Sequence, residues 1–376
     1  MKNKKKLLIA ISIICGLLIA SGATALVILI PLNTTVKTDQ NSTNDTNSSI
    51  PANETNSSPA FIKYLKANKE LYVWSHSLQA QIDGKPAWAR LVTNYNSAFD
   101  NLLEFALYHG FKQLYLFAGS VEWDWEYSFS VHRLPEHDLF VEQLKKLYAN
   151  NIEVNLVVYL NDDVNNLANW ERIKDVAETI KAVNEVVPVK TLHLDQEPSQ
   201  PQQYEALINM LSMANDIYPT SSTVKPLWTR QKMEDVAPFF SEAFNKTISA
   251  HNAESETKFE YFVDMVIDAT DSSEMMAYSN EYAKIRSLSQ FYVERTKVFG
   301  KPGTNIVETG FINQLPEAET LHYQFQKNPD EFFEFVSNMS ETYGTVVVHD
   351  YMQYYFTLYC NSPQNWVGLG PPKTCK

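Results

Sequence analysis

A closed (β/α)8 barrel is the fold class this sequence predicts, on three observations. Eight short apolar or β-branched runs recur roughly every 30–50 residues after residue 60, the rhythm of strand–helix units. Amphipathic stretches with apolar residues at i, i+3, i+4 and i+7 lie between them, which predicts crossover helices and a parallel sheet. An open dinucleotide-binding sheet should carry G-x-G-x-x-G after its first strand, and no such run occurs among 11 glycines. Composition permits a large core: 44% of residues are hydrophobic and 12% aromatic, which excludes a wholly disordered chain. With 44 acidic against 31 basic residues, a formal charge of −13 and no basic cluster after the first six residues, nucleic acid is not an expected partner.

Before the barrel, residues 1–6 form a basic tip containing Lys2, Lys4, Lys5 and Lys6. The run 7–32 that follows is uncharged and apolar. At ~1.5 Å per residue it exceeds the ~30 Å of a bilayer's hydrocarbon core, which predicts a transmembrane signal anchor. A cleaved signal peptide is the alternative, because Ala20-Ser-Gly-Ala-Thr-Ala25 offers small residues at a cleavage spacing. The preceding lysines hold the N-terminus in the cytosol. The expected product is a single-pass type II membrane protein facing the lumen or cell exterior, or a secreted one if the segment is removed. Residues 33–60 are rich in Asn, Ser and Thr and carry sequons at Asn33, Asn41, Asn44, Asn47, Asn53 and Asn56, predicting a glycosylated linker. Further sequons at Asn245 and Asn338 are expected on the surface of the folded part. Cys15 lies inside the apolar run, so Cys360 and Cys375 are the candidates for a disulfide in an oxidising compartment.

Residues 61–376 hold the barrel. The candidate strands are Leu71–Trp74, Gln113–Ala118, Glu153–Tyr159, Lys190–Leu194, Thr223–Trp228, Glu274–Tyr278, Thr304–Val307 and Gly344–Val348. Helices are expected over Ala98–His109, His137–Tyr148, Trp170–Val186 and Gln203–Ile217, the last from Tyr204-x-x-Leu207-Ile208-x-x-Leu211.

Chemistry in such a barrel belongs at the C-terminal ends of the strands, and ionisable residues gather there. The fourth run ends in His193-Leu-Asp195-Gln-Glu197-Pro198, the seventh in Glu308 and the eighth in His349-Asp350-Tyr351. The first ends in Trp74-Ser-His76, the fifth in Trp228-Thr-Arg230 and the sixth in Tyr278. By the two-residue period of a strand, His193 and Asp195 point into the barrel if Leu192 and Leu194 face the helices. Carboxylates crowded at one rim cost desolvation and mutual repulsion, which a fold tolerates at a working site. Paired carboxylates are what glycoside hydrolysis requires, one as acid and one as nucleophile or base. Trp74, Trp228, Tyr278 and Tyr351 would wall a sugar, with His76, His193 and Asp350 beside it. Arg230 is expected either to pair with the carboxylates or to clamp substrate. The histidines lack a close-spaced ligand pair, so neither a metal nor a cofactor is expected. The implied partner is a carbohydrate, and the membrane through the N-terminal segment.

Two resemblances sharpen this. Glu197-Pro198 after the fourth strand and Glu308 after the seventh resemble the acid/base and nucleophile of the retaining (β/α)8 glycosidase clan, although Gln196 stands where that clan has Asn. The same fourth strand resembles D-x-x-D-x-D-x-E of the family-18 chitinases. Asp195 and Glu197 keep the last two positions of that motif, while Lys190 and His193 replace the first two. Met276-Ala-Tyr278 is similar to their M-x-Y, with Ser279 in place of Asp, and His349-Asp350-Tyr351 stands where they carry Trp. Both resemblances imply Glu197 as proton donor. The first implies Glu308 as nucleophile with Asp195 supporting Glu197, and it is the expectation adopted here. The second implies attack by the substrate's own acetamido oxygen, steadied by Asp195 and Tyr278. A non-catalytic carbohydrate-binding barrel is the alternative that the replaced positions motivate.

Overall fold

The computed structural model describes residues 58–73, 81–82, 85–86, 96–122, 128–129, 137–161, 170–310, 316–351 and 354. Eight parallel strands close a barrel: β1 (Lys69–Val73), β2 (Gln113–Glu122), β3 (Glu153–Asn161), β4 (Thr191–Leu194), β5 (Thr220–Val224), β6 (Ser272–Met276), β7 (Gly303–Glu308) and β8 (Val346–His349). Each pairs with its neighbour in chain order, and β1 pairs with both β2 and β8, so the barrel has no free edge. The principal helices are α1 (Pro59–Lys66), α2 (Asn96–His109), α3 (His137–Ala149), α4 (Ile173–Asn184), α5 (Tyr204–Ile217), α6 (Glu242–Glu254), α7 (Phe262–Asp268), α8 (Tyr282–Val298), α9 (His322–Lys327) and α10 (Pro329–Tyr343).

Strand alternation divides the core in two. Leu71, Val73, Leu114, Leu116, Leu192, Leu194, Val346 and Val348 face outward and pack with the helices. On α5 their partners are Tyr204, Leu207, Ile208, Leu211 and Ala214, the periodicity expected of a helix with one buried stripe. The intervening residues Tyr72, Tyr115, Phe117, Val157, Met276, Ile306 and Val347 form a separate apolar cluster inside the barrel. Beneath it the floor is polar. Tyr115 Oη donates to Glu274 Oε1 at 3.0 Å, and Lys190 Nζ donates to Gln113 Oε1 at 2.5 Å and Glu153 Oε2 at 2.6 Å.

Two glycines are required by the backbone. Gly110 has φ +71°, and a Cβ there would lie 2.6 Å from the Leu65 carbonyl oxygen where α1 crosses the end of α2. Gly344 ends α10 at φ +93°, its N–H donating to the Ser340 carbonyl at 2.8 Å. α1 packs on α10, joining the first and last of these helices. Ser58 caps it, Lys63 Nζ donates to Asn338 Oδ1 on α10 at 2.8 Å, and Phe61 packs on Phe333 at 5.0 Å.

Three expectations need comment. The fifth strand lies three residues earlier than its apolar run suggested: Pro226 opens a 3-10 turn over Pro226–Thr229, and the strand is Thr220-Ser-Ser-Thr-Val224. Its polar residues Ser221 and Thr223 look inward to His193, so it carries no hydrophobic signal. The two folded-part sequons sit on helices. Asn338 is half-buried on α10. Asn245, also half-buried, spends its side-chain nitrogen on the carbonyls of Ala237 (3.0 Å) and Phe240 (3.4 Å). The apolar run 7–32, the linker sequons and Cys360 and Cys375 lie outside the described residues. Among the described residues no helix is long and apolar enough to cross a membrane.

Candidate active site

The mouth is built two residues above the interior apolar cluster. His193 leads to Asp195, Met276 to Tyr278, Ile306 to Glu308 and Val347 to His349, each step keeping the side chain on the barrel's inner face. β7 and β8 are in register so that Glu308 aligns with His349, which sets those two side chains side by side.

Asp195 and Glu197 form the centre. The Asp195 N–H donates to the Val158 carbonyl at 3.0 Å, extending β4 by one residue before Pro198 restricts the chain. A third of the Glu197 side chain stays open while protein surrounds the rest. Burial, and next the Asp195 carboxylate hydrogen-bonded beside it, push the Glu197 carboxyl up to about 8, against partial relief from Lys225 and His349. At neutral pH Glu197 therefore carries a proton it can give away. Lys225 is the cation at this point. Its Nζ donates to the Glu197 carbonyl at 3.2 Å and to Ser199 Oγ at 2.9 Å, and lies 3.8 Å from Glu197 Oε2.

Glu308, expected as an open nucleophile, is instead enclosed. It is 1% exposed, and both carboxylate oxygens are engaged: Oε1 accepts from the Gly310 N–H at 2.5 Å and Oε2 meets His349 Nδ1 at 2.6 Å. Burial alone would depress the His349 imidazole, but Glu308 in contact, then Asp350 and Asp195, raise it to about 9. His349 is therefore a charged imidazolium at neutral pH, held against Glu308. Tyr278 is pushed well above 10, by burial first and then by Glu308, Glu197, Asp195 and Asp350, so its phenol remains a donor among these acids.

The other expected residues divide. His193 is sealed in the barrel one layer below the mouth, sharing hydrogen bonds with Ser221 Oγ (Nδ1, 2.9 Å) and Thr223 Oγ1 (Nε2, 3.0 Å) and lying 3.3 Å from Glu274. It supports the mouth and is out of reach of a ligand. Trp228 is fully buried in the helical layer against Phe262 at 5.5 Å and Tyr204 at 6.1 Å, its indole N–H donating to the Pro198 carbonyl at 3.3 Å. It braces the Glu197-Pro198 turn from behind instead of walling a sugar. Tyr351 faces outward too, edge-on to Phe105 at 5.2 Å, and Asp350 is fully buried. Arg230 is exposed on the turn after β5, and Lys225 takes the position proposed for it. Trp74 and His76 lie outside the described residues. Among the described residues no three His, Cys, Asp or Glu side chains are grouped to hold a metal ion.

Lys225 and the role of His349 are what sequence reading missed. The only signal for Lys225 was its place before Pro226, where a strand must stop donating to its neighbour.

No family model matches the chain, and no curated protein matches it. Among solved structures it is similar to a GH18 chitinase from Pseudoalteromonas aurantia (9% identity, TM-score 0.45, 76% of this chain and 94% of that one). It is similar also to a GH113 β-1,4-mannanase (11%, 0.46, 77% and 89%) and to a xylanase–α-amylase inhibitor protein in complex with trehalose (11%, 0.40, 78% and 95%).

Proposed function

We propose that this barrel hydrolyses a glycosidic bond with Glu197 as general acid. The observation that carries the reading is the pair of carboxyls, Asp195 and the part-open Glu197, at the open end of the barrel, where burial and then Asp195 push Glu197 up. A carboxyl so held is a proton donor at neutral pH.

The engagement of Glu308 on both oxygens favours attack by the substrate's own acetamido oxygen over a protein nucleophile. Asp195 would orient that group and Tyr278 would donate to it. On leaving-group departure the Glu197 proton goes to the glycosidic oxygen while the acetamido oxygen bonds to the anomeric carbon. Water then opens that ring, returning a proton to Glu197. Sugars bearing an N-acyl group at C2 are the substrates this selects. The experiment is turnover of 4-methylumbelliferyl di-N-acetylchitobioside against 4-methylumbelliferyl cellobioside by the full chain. We expect cleavage of the first alone, lost by about 10²–10⁴-fold in Glu197→Gln. Equal cleavage of both would restore a nucleophilic role to Glu308, and cleavage undiminished in Glu197→Gln would end the proposal.

A non-catalytic carbohydrate-binding barrel is the second reading, favoured by the basic residues at Lys190 and His193 and by Ser279, which is buried and accepts from the Glu281 N–H at 3.1 Å. Saturable binding of the N-acetylated glycan with no release of product would favour it. We propose further that residues 7–32 anchor the barrel as a type II membrane protein on a glycosylated linker. Protease protection in membrane vesicles and a mobility shift on deglycosylation test this.

A further inference from the structure

Among the described residues, Glu308 meets the mouth through His349. Its carboxylate holds Nδ1 at 2.6 Å and is itself pinned by the Gly310 N–H, while Leu321 N–H donates to its carbonyl at 2.9 Å. The His349 carbonyl accepts from both the N–H and the hydroxyl of Thr309, each at 2.7 Å, so the two strand ends cannot slide. Tyr72 lies 4.9 Å from the imidazole ring and Tyr278 6.1 Å, which fixes its plane. Nε2, at the far end of the ring from Glu308, makes no hydrogen bond among the described residues, and the side chain keeps 16% of its surface open. A charged donor so placed calls for an acceptor oxygen from beyond the described residues.

We propose that His349 is a substrate-contacting residue of the mouth that donates Nε2–H to an acceptor oxygen of the bound sugar, with Glu308 as the positioning residue that holds its ring and its charge. The arrangement follows the carboxylate–imidazole logic of acyl-transfer triads, in which the acid fixes the tautomer and stabilises the imidazolium. It accounts for a carboxylate at the end of β7 with no opening of its own. The charged and titratable groups facing the ring are Glu308 from β7, Asp350 next to it on the chain, Asp195 and Glu197 beyond β4, and the phenols of Tyr72 and Tyr278. The donor stays charged through neutral pH because Glu308 in contact, then Asp350 and Asp195, outweigh the burial that would depress it.

The proposal rests on the mouth being a sugar site, and the experiment separates the two. Imidazole ¹⁵N resonances of the full chain are followed with pH and on adding tri-N-acetylchitotriose, whose affinity is measured by calorimetry. We expect the His349 Nε2–H signal to move as the trisaccharide binds. His349→Ala should weaken binding tenfold or more, His349→Gln, which keeps a donor at that position, by about threefold or less, and Glu308→Gln should lower the His349 titration by at least one pH unit. If the trisaccharide binds and Glu197→Gln abolishes turnover while His349→Ala binds as tightly as wild type, the proposal is wrong and the sugar site stands. A Glu308→Gln variant with an unmoved His349 titration removes Glu308 from the positioning role and overturns the proposal as stated. If the trisaccharide does not bind wild type at all, the sugar reading falls and this proposal falls with it.

Discussion

Replacing Lys225 by Met should raise the pH at which Glu197 loses its proton by about one unit. A cation favours the ionised form of a neighbouring carboxylate, so its removal makes that proton harder to lose. The magnitude follows from geometry. At 3.8 Å between Nζ and Oε2, the interaction is about 4 kcal/mol at an effective dielectric of 20 and about 1 kcal/mol in water. Both side chains are partly open, 22% for Lys225 and 33% for Glu197, so the value lies toward the watery limit, near 1–2 kcal/mol or about one pKa unit. From about 8 the titration should move to about 9. The assay is ¹³C NMR of labelled glutamate carboxyls, assigned with Glu197→Gln, beside the alkaline limb of kcat/KM, which reports the acid of the free enzyme. Lys225→Arg, which keeps the charge, should leave both within a few tenths of a unit. A Glu197 titration that stays put or falls in Lys225→Met would show that the proton is held by something other than this balance of Asp195 against Lys225.

Three further outcomes follow from the same coordinates. Stability should fall between pH 5 and 7. Glu197 at about 8 and Glu70 at about 7 both sit above the usual 4.5. The folded state therefore keeps protons that the unfolded chain releases, and calorimetry should give a lower Tm at pH 7. His349, raised to about 9, adds a loss between 6.5 and 9. Lys69, lowered to about 7, acts oppositely above that point, so a Tm that rises from pH 5 to 7 would contradict the account. Trp228→Ala should cost about 3–5 kcal/mol in denaturant unfolding, as a fully buried indole leaves a cavity behind the Glu197 turn, and a loss under 1 kcal/mol would mean the layer refills it. Gly110→Ala should cost at least about 1–3 kcal/mol from the positive φ alone, with the Cβ placed 2.6 Å from the Leu65 oxygen adding to it, and unchanged stability would show that α1 can move away.

The barrel was legible because its outward-facing residues are apolar at both periods that matter, two along the strands and 3.6 along the helices. β5 was placed wrongly for the complementary reason. Its inward residues Ser221 and Thr223 exist to satisfy a buried imidazole, and a strand with a polar inner face gives no apolar run. A frame shifted by three residues puts Trp228 and Arg230 at the rim and hides Lys225. Asp195 and Glu197 were legible because a D-x-E step at a strand end puts both carboxyls on one side. Which tryptophans and tyrosines face a ligand was not, because Trp228 and Tyr351 differ from wall residues only in the direction of a turn after the strand.

Glu197 and Glu308 show why residue type at a strand end does not settle a role. Both follow an apolar strand, both sit at the same end of the barrel, and in the sequence each is a glutamate before a turn. What separates them is the neighbour that register supplies. β4 places a second carboxylate two residues before Glu197, so the cheapest state there is one shared proton, and the site becomes an acid. β8 places His349 opposite Glu308, so the cheapest state there is an ion pair, and the carboxylate is consumed in holding a cation. A mouth with one surplus proton and one fixed cation can donate twice, to a leaving oxygen and to an acceptor on the ring, but has no unengaged carboxylate at β7 to attack carbon. On the proposed reading, freeing Glu308 by His349→Ala should therefore not speed turnover. It should leave a buried carboxyl without its partner, felt as lost stability in denaturant unfolding.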